Sequence, residues 1–402
     1  MSKIIKYVAF ALALSLTLCT SVSANEVLSV SDYVSAPSWA SGETAAIADA
    51  SSLNLGGKSI ILIEETTGKV LYERDADIKM PPASITKIMT LLLTMEAMEN
   101  GKFTLETKVT CSDHAASMGG AQIWLEEGEQ MSVDDIIKSV CIKSANDAAV
   151  VLAELVGGSE DGFVNMMNAR ASELGMKNTT FKNASGLDAE GHLSTARDIS
   201  IMSRALMRHE KIFEYTRIWM DTLRGGQTEL VNTNKLIRFY KGATGLKTGT
   251  TDGAGSCLSA TAERDGLSLI GVVMGFEDSK TRNAAARKLL DFGFANYEIV
   301  TPEISEEIPD TLPVKGGMSE SVALRSESVP SVLTEKNNKG KIESRLSLES
   351  SLAAPVKEGQ TVGKVDIYVN DKLYTSYAVQ AAESVKEMTF LRAFSLILDS
   401  IF

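Results

Sequence analysis

The chain has 402 residues, of which 44% are hydrophobic, and carries a formal net charge of −12 at pH 7. This length exceeds one comfortable hydrophobic core, so we expect two domains. Because the charge balance is acidic, the composition excludes the basic surface that nucleic acid requires, and we expect no nucleic-acid partner.

The first 24 residues have the three parts of a secretory signal peptide. Lys3 and Lys6 precede an apolar run over residues 8–18, and small residues at positions 22–24 stand before Asn25. The run is too short to span a bilayer, so we predict export and cleavage after residue 24. Without these two lysines the mature chain would have 38 basic residues against 52 acidic ones, a charge of −14.

The numbers and spacing of cysteine and histidine residues indicate the compartment of the protein and whether it has a metal site. Three cysteines remain beyond the signal peptide: Cys111, Cys141 and Cys257. They are too few and too scattered for a disulfide framework, so an exported chain of this kind fits a bacterial envelope. The three histidines, at positions 114, 192 and 209, show no metal-ligand spacing. We therefore predict no metal and no other cofactor.

The first predicted elements are a β-hairpin and a buried helix. Residues 25–57 are rich in Ser, Ala and Gly and are predicted to be a spacer, after which two β-rich runs flank a Thr-Thr-Gly turn. A helix then runs between the Pro81-Pro82 pair and Gly101. Nearly every residue from Ile85 to Met95 is apolar or Thr. This pattern indicates a helix that is buried around most of its circumference.

One residue interrupts that apolar helix. Lys87 is the only charge between Ala83 and Glu96, and an unpaired buried ammonium is costly. Ser84 lies three residues earlier, so both side chains share one helix face. Burial lowers the pKa of an amine, and a neutral Lys beside a Ser can activate it as a nucleophile. The alternative is a Lys that extends to the surface and a Ser that caps the helix.

A second polar break lies at a corner between two predicted helices. Residues 102–131 are irregular and are predicted to be a long loop, after which Ser132 caps a helix that contains Cys141 as a buried apolar residue. The helical pattern stops at Lys143 and resumes after Asn146. Ser144 and Asn146 therefore occupy the corner.

The remaining segments complete an α+β domain. Helices are predicted over residues 161–174 and from a Thr195 cap through Met207, with His192 as a loop residue that supports the turn before the cap. Strands follow from Thr244, and the Asp265-Gly266 turn joins two alternating runs as a hairpin. A last helix covers 279–294. Hairpin, helices, strand meander and helix imply an antiparallel sheet flanked by helices over residues 58–297.

The C-terminal quarter reads as a separate unit. Residues 298–312 are rich in Glu, Pro and Ser and are predicted to be a linker, and residues 313–382 show short alternating strands that predict a small all-β domain. Residues 383–402 repeat apolar residues at helical spacing among charges. We predict an amphipathic helix that lies in the membrane interface, with a helix docked on the β domain as the alternative.

Three polar clusters stand in order along the chain: Ser84-Ile85-Thr86-Lys87, Ser144-Ala145-Asn146 and Lys247-Thr248-Gly249. Each short pattern recurs by chance, but together they match the set found in class A β-lactamases and penicillin-binding proteins. The sequence resembles the D-alanyl-D-alanine carboxypeptidase family of low-molecular-mass penicillin-binding proteins. Further segments typical of that family are SMGGAQIWLEEGEQMSVDD, GHLSTARD and GFEDSKTRNAAARKLL. The resemblance covers nearly the whole mature chain.

The resemblance implies a role for each member of the clusters. Ser84 would be the acylated nucleophile and Lys87 its general base, while Ser144 would relay a proton to the leaving D-alanine. Asn146 would hold the acyl-side amide. The remaining residues implied in substrate binding are Lys247, Thr248, Gly249, Thr250 and Arg282, of which Lys247 and Arg282 would supply positive charge for the substrate carboxylate. Backbone N–H groups of Ser84 and Thr250 would form the oxyanion hole.

The implied function is removal of the terminal D-alanine from peptidoglycan stem peptides through an acyl-enzyme, with β-lactam antibiotics as covalent inhibitors. The implied location is the outer face of the cytoplasmic membrane. A class A β-lactamase would share the clusters but should carry a deacylating Glu-x-x-Leu-Asn loop, which is missing from the sequence. A Ser-His-Asp hydrolase would need His192 and a Gly-x-Ser-x-Gly elbow. A non-catalytic envelope-binding module is the remaining alternative, and the intact Ser84 and Lys87 argue against it.

Overall fold

The structure is a computed structural model that describes residues 53–303, 307–326, 329–336 and 342–401. The predicted signal peptide and the predicted spacer as far as residue 52 lie outside the described residues. Within the described part, the predicted helices and strands occur in the predicted order, together with short elements that the sequence did not indicate. A five-stranded sheet and a six-stranded sheet, each with its own core, organise them, and three two-stranded sheets accompany these.

The α-helices of the described residues are, in chain order, α1 (Lys87–Glu99), α2 (Asp113–Ala116), α3 (Val133–Lys138), α4 (Asn146–Gly157), α5 (Glu160–Glu173), α6 (Ala196–Met207), α7 (Phe213–Thr216), α8 (Leu236–Phe239), α9 (Ser279–Asn296) and α10 (Phe390–Ile401). Shorter helical turns include a 3-10 turn at Ala83–Thr86 and a π turn at Ser139–Lys143.

The strands of the described residues are β1 (Ser59–Glu64), β2 (Val70–Arg74), β3 (Lys108–Thr110), β4 (Gln130–Ser132), β5 (Met220–Leu223), β6 (Thr228–Val231), β7 (Ala243–Thr251), β8 (Gly255–Arg264), β9 (Leu267–Phe276), β10 (Tyr297–Val300), β11 (Thr311–Lys315), β12 (Ser321–Ser326), β13 (Val332–Glu335), β14 (Ile342–Leu348), β15 (Leu352–Ala353), β16 (Thr361–Val369) and β17 (Lys372–Ala381).

The first domain is built on a five-stranded sheet in the order β2-β1-β9-β8-β7, and each neighbouring pair is antiparallel. Successive strand residues point to opposite faces. Leu269 lies against α9, where it would contact a side chain placed at Gly293, whereas Ile270 belongs to the core beneath the other helices. The predicted α+β sheet flanked by helices is therefore confirmed.

Helix α1 lies at the centre of the helical layer. Its residues from Lys87 through Met95 are all buried, as the apolar sequence predicts. The helix ends at Asn100, and Gly101 has a φ of 72°, which favours glycine after a helix. The central position of α1 fixes Ser84 and Lys87 within the interior of the domain.

Residues 102–131 differ from the predicted irregular loop. They contain strand β3, the short helix α2 and the start of β4, and β3 pairs with β4 through Val109 opposite Met131. The sequence signal is weak because the strands are only three residues long. The Ser132 cap is confirmed, since its hydroxyl accepts a hydrogen bond from the Asp135 N–H.

The corner between α3 and α4 is formed by the π turn at 139–143. Ser144 follows it with φ 66° and ψ 28°, a left-handed conformation that is uncommon for a residue other than glycine. Cys141 is buried within the turn, as predicted, and burial raises the pKa of its thiol to about 12. Residues in a strained conformation such as that of Ser144 cluster at functional sites.

The second domain is a sheet in the order β14-β16-β17-β12-β11-β15. The β16–β17 hairpin turns at Asn370 and Asp371, both with positive φ, as their turn chemistry predicts. The predicted linker 298–312 needs correction: its first residues belong to β10, which pairs with β13 through Ile299 opposite Leu333. The sequence did not indicate this short strand because the segment is rich in acidic residues.

The C-terminal segment is helical only in part. Residues before Phe390 pair with the β domain, since the Met388 N–H donates to the Gly316 carbonyl and the Val385 N–H donates to that of Val356. The amphipathic helix predicted over 383–402 therefore begins at Phe390, as α10. Across the described residues, every helix is too short or too polar to pass through a bilayer.

Candidate active site

The backbone around Ser84 is held in a strained, tightly packed conformation. Ala83 has a φ of 48°, and the loop at Gly186 approaches so closely that a Cβ there would lie 1.9 Å from the Ala83 carbonyl oxygen. Gly249 on β7 packs from the other side, where a Cβ would lie 3.0 Å from the Pro82 carbonyl oxygen. Two glycines thus fix the turn that presents the Ser84 hydroxyl, which is partly exposed.

Lys87 is fully buried and has three partners. Its Nζ lies 2.9 Å from Ser84 Oγ, 2.6 Å from Asn146 Oδ1 and 2.5 Å from the Ser185 carbonyl oxygen. Its pKa lies well below the usual value for Lys, chiefly because burial penalises the ammonium and secondly because of the charge on Lys247. Asp147 opposes this shift. Burial is the main cause.

The neutral amine that the lowered pKa of Lys87 favours can make all three contacts. An uncharged amine has two N–H donors and one lone pair. Asn146 Oδ1 and the Ser185 carbonyl can only accept, so they use the two N–H groups. The lone pair then remains for Ser84, whose O–H can donate to it across 2.9 Å. In this state Lys87 is placed to remove the Ser84 proton.

Lys247 joins strand β7 to the α3–α4 corner. Its Nζ donates to Ser144 Oγ at 2.7 Å and to the Thr248 carbonyl at 3.2 Å. Lys247 pairs with Ser259 on β8, and Ser259 contacts Ser203 of α6, so Lys247 faces the helical layer. Its pKa is lowered to about 7, chiefly by burial; Cys141 opposes this shift, and a smaller contribution from Arg282 adds to it.

Asn146 is oriented by the loop at 119–125. Its Nδ2 donates to the Gly119 carbonyl at 2.7 Å, and its backbone N–H donates to the Ala121 carbonyl at 2.7 Å. The buried Asp147 carboxylate accepts N–H bonds from Ile123 at 3.1 Å and Leu125 at 3.1 Å. These bonds fix the side-chain amide with its oxygen on Lys87. One N–H of Nδ2 remains for a substrate carbonyl.

The other predicted binding residues lie along β7, with one exception. Thr248 is 6% exposed, and its hydroxyl lies 2.7 Å from that of Thr233, while Thr250 is exposed. Arg282 lies on α9 and is 3% exposed; it contacts the Asn283 side chain and, at 3.5 Å, the Cys257 carbonyl. Burial lowers the Arg282 pKa to about 10. These hydrogen bonds of Arg282 go to residues outside the three clusters.

Sequence reasoning missed the loop at residues 183–187. The Ser185 carbonyl accepts from Lys87, and Gly186 packs on Ala83. Asn183 shapes the loop, since its Oδ1 accepts from the Gly186 N–H at 2.6 Å. Asn183 and Gly186 are residues that favour a turn, but the carbonyl of Ser185 has no sequence signature. Asp147 and Thr233 were missed because only the folded chain brings them to the site.

His192 is a structural residue of a neighbouring loop, as the sequence favoured. Its Nδ1 accepts from the Lys182 N–H at 3.2 Å, so its Nε2 carries the proton and donates to Thr86 Oγ1 at 2.9 Å. Burial lowers its pKa to about 4. Within the described residues no group of three His, Cys, Asp or Glu side chains could hold a metal ion.

A partly exposed serine, a buried lysine of depressed pKa at 2.9 Å, and a second Ser-Lys pair opposite form the arrangement of a serine acyl-transfer enzyme that uses lysine as its base. Family models identify the class more closely. Residues 44–278 match the D-alanyl-D-alanine carboxypeptidase model, and residues 300–387 match the C-terminal domain of penicillin-binding protein 5. The chain belongs to the D-alanyl-D-alanine carboxypeptidase family of serine peptidases, which confirms the family and the enzyme class that the sequence predicted.

Curated relatives agree with this assignment along most of the chain. The chain is 41% identical to D-alanyl-D-alanine carboxypeptidase DacF of Bacillus subtilis over 338 residues, which is 83% of this chain and 87% of the relative. It is 36% identical to DacC of Escherichia coli over 84% of this chain and 86% of that one. Both domains are therefore shared with these relatives.

Solved structures show the same architecture. Penicillin-binding protein 5 from Haemophilus influenzae superposes with a TM-score of 0.68 at 30% identity and covers 83% of this chain and 98% of that one. Penicillin-binding protein D2 from Listeria monocytogenes, solved with cefotaxime bound, gives a TM-score of 0.56 at 34% identity over 60% of this chain and 99% of that one. The comparisons thus confirm the DD-peptidase type of fold.

Proposed function

We propose that the chain removes the terminal D-alanine from peptidoglycan stem peptides through an acyl-enzyme on Ser84. The observation that carries this proposal is the contact of the buried Lys87, whose pKa is strongly lowered, with Ser84 Oγ at 2.9 Å. Lys87 accepts the Ser84 proton while Oγ bonds to the carbonyl carbon of the penultimate D-alanine. Backbone N–H groups of Ser84 and Thr250 stabilise the oxyanion.

The acyl-enzyme forms when the peptide C–N bond breaks. The proton that Lys87 took from Ser84 passes through the Ser144 hydroxyl, which is hydrogen-bonded to Lys247, to the leaving D-alanine nitrogen. Water then attacks the ester while Lys87 takes a proton from it, and Lys87 returns that proton to Ser84 Oγ as the shortened peptide leaves. A β-lactam enters the same first step, but its ring opens without loss of a leaving group, so it stays on Ser84 as a covalent inhibitor.

Substrate selection rests on the carboxylate of the terminal D-alanine. Lys247 and Thr248 lie side by side on β7, and Gly249 next to them leaves room for the turn that holds Ser84. A cation in a buried site attracts an anion far more strongly than one in water. We propose that Arg282 contributes to this positive potential from behind the site. Asn146 receives the acyl-side amide of the substrate.

The alternative is a β-lactamase, which would share Ser84, Lys87 and Ser144. Release of D-alanine from a diacetylated tripeptide ending in D-Ala-D-Ala separates the two functions. We expect the enzyme to release D-alanine steadily and to remain acylated by benzylpenicillin. Rapid penicillin turnover without peptide hydrolysis would contradict the carboxypeptidase proposal. A Ser84→Ala variant is the control for both assays.

We further propose that the protein is exported and held at the outer face of the cytoplasmic membrane by residues 383–402. Support comes from α10, where Phe390, Leu391 and Phe394 are 80%, 79% and 51% exposed. Such apolar exposure marks an interaction surface.

Flotation with vesicles of phosphatidylglycerol and phosphatidylethanolamine tests the membrane contact. Replacement of the three exposed residues by Ser should abolish flotation of the mature chain. The matched control is Leu373→Ser, because Leu373 is 55% exposed near the start of β17. Equal flotation of the triple variant and the parent chain would contradict the membrane contact. The peptidase proposal is unaffected by either result.

A further inference from the structure

Thr233 occupies a position between the two walls of the active site. Its hydroxyl lies 2.7 Å from the Thr248 hydroxyl on β7. Its backbone N–H donates at 3.1 Å to the carbonyl of Ile142, two residues before Ser144. Thr233 therefore contacts the strand that carries Lys247 and the turn that carries Ser144. Its side chain is exposed, so solvent or substrate can reach it.

Two buried asparagines hold Thr233 in this position. Asn232 Nδ2 donates to the Ile218 carbonyl at 2.7 Å, and its Oδ1 accepts from the Asn234 N–H at 2.9 Å. Asn234 Nδ2 donates to the Gly245 carbonyl of β7 at 2.8 Å. Buried amides with satisfied hydrogen bonds form a rigid support. An exposed threonine between two such residues indicates a position that is built rather than incidental.

The hydroxyl pair has one spare proton. Two hydroxyls that share one hydrogen bond use one O–H between them, and the other O–H stays free to donate. When Thr233 donates, the free proton belongs to Thr248, and the incoming bond polarises it toward an acceptor. In the proposed function, the acceptor beside Lys247 is the substrate carboxylate. This direction leaves the Thr233 lone pairs facing solvent, where water can satisfy them.

We propose that Thr233 is a positioning residue for the substrate carboxylate: its hydroxyl donates to Thr248 so that the Thr248 proton points at the terminal carboxylate. The inference rests on the proposed function, since it needs the carboxylate to bind beside Lys247 and Thr248. Thr233 acts through Thr248 and touches no reacting atom. Its loss should weaken recognition of the carboxylate and leave the acyl-transfer chemistry at Ser84 in place.

The test compares two substrates with a Thr233→Val variant. One is a diacetylated tripeptide ending in D-Ala-D-Ala, and the other is the same peptide with a terminal amide in place of the carboxylate. We expect kcat/KM for the acid to fall about 5- to 10-fold, mainly through KM, because a hydrogen bond to a charged group is strengthened by its neighbour. The kcat/KM for the amide should change less than twofold. A Thr233→Ser variant should restore the kcat/KM for the acid.

Controls separate this inference from the proposed function. Thr110→Val removes an exposed hydroxyl on β3, one that accepts from Gln130 Nε2 at 3.2 Å, and should leave both substrates unchanged. The stoichiometry of the benzylpenicillin adduct on Ser84 should remain one to one in Thr233→Val. Equal losses for acid and amide, or no loss for either, would overturn the positioning role. An unacylated Ser84 in the parent chain would overturn the proposed function instead.

Discussion

The two domains differ in what their interiors contain. The core of the β domain is formed by aliphatic residues and one Tyr, and the buried polar residues described beyond β11 are Thr334, Ser344 and Asp366. The catalytic domain buries Lys87, Lys247 and Arg282, each at most 3% exposed. An apolar core stabilises a domain at little cost, whereas buried cations oppose folding unless neighbours compensate. The contrast indicates that the first domain retains such residues for chemistry.

The same contrast shows how the buried cations are tolerated. Lys87 and Lys247 both have lowered pKa values, and each has acceptors within hydrogen-bond distance. Burial thus lowers the cost of each group by favouring its neutral form, and in Lys87 that form has a lone pair beside Ser84. The β domain has no comparable cluster among its described residues. Stability and catalysis should therefore respond separately to substitution in the two domains.

Substitution of Lys87 gives the largest expected effect. Lys87→Met keeps the length of the side chain but removes the base, so acylation by benzylpenicillin should slow by about 10²- to 10⁴-fold. Stopped-flow or gel-based measurement of acyl-enzyme formation checks the rate, with the circular dichroism spectrum as a control for folding. A rate within tenfold of the parent would show that Lys87 is not the base.

The converse effect is expected in the β domain. Ile367 is fully buried on β16, and Ile367→Ala should lower the free energy of unfolding of this domain by about 2–5 kcal/mol. Acylation of Ser84 should be unchanged. The matched control, Ile270→Ala, removes an equally buried side chain from the catalytic sheet. Calorimetry together with acylation rates checks both variants. Loss of acylation in Ile367→Ala would contradict the expectation that stability and catalysis respond separately in the two domains.

A smaller effect is expected in the pH dependence of catalysis. Lys247 is cationic below its pKa of about 7 and loses its charge above it, so kcat/KM of the free enzyme for the acid substrate should decline as pH rises through this range. Lys247→Arg keeps its charge at higher pH. In this variant the decline should occur at a pH at least one unit higher than in the parent enzyme. At pH 8 the two enzymes should then differ about tenfold in the fraction of kcat/KM that they retain. An identical basic limb in both enzymes would assign it to another group.

Much of the catalytic domain was predictable because its signals are local. The Thr-Thr-Gly and Asp-Gly turns, the Ser132 and Thr195 caps and the apolar helix α1 each depend on a few adjacent residues. The Ser84–Lys87 contact follows from helical spacing alone. The caps and turns that were predicted correctly are those with a side-chain hydrogen bond or a residue suited to positive φ.

The parts that were missed depend on the folded chain. Ser185 contributes only a backbone carbonyl, and Thr233 reaches Thr248 across a loop. Strands β3 and β10 are three and four residues long, too short for an alternating pattern. Nonlocal contacts and burial therefore set the limit of sequence reasoning here.

Mass spectrometry of the protein after incubation with benzylpenicillin tests the central claim most directly. We place the nucleophile at Ser84, beside the buried Lys87 with its lowered pKa. We expect one covalent adduct per folded chain, located on the peptide that contains Ser84 and absent from a folded Ser84→Ala variant. A folded parent chain without an adduct, or an adduct on Ser144 instead, would contradict it.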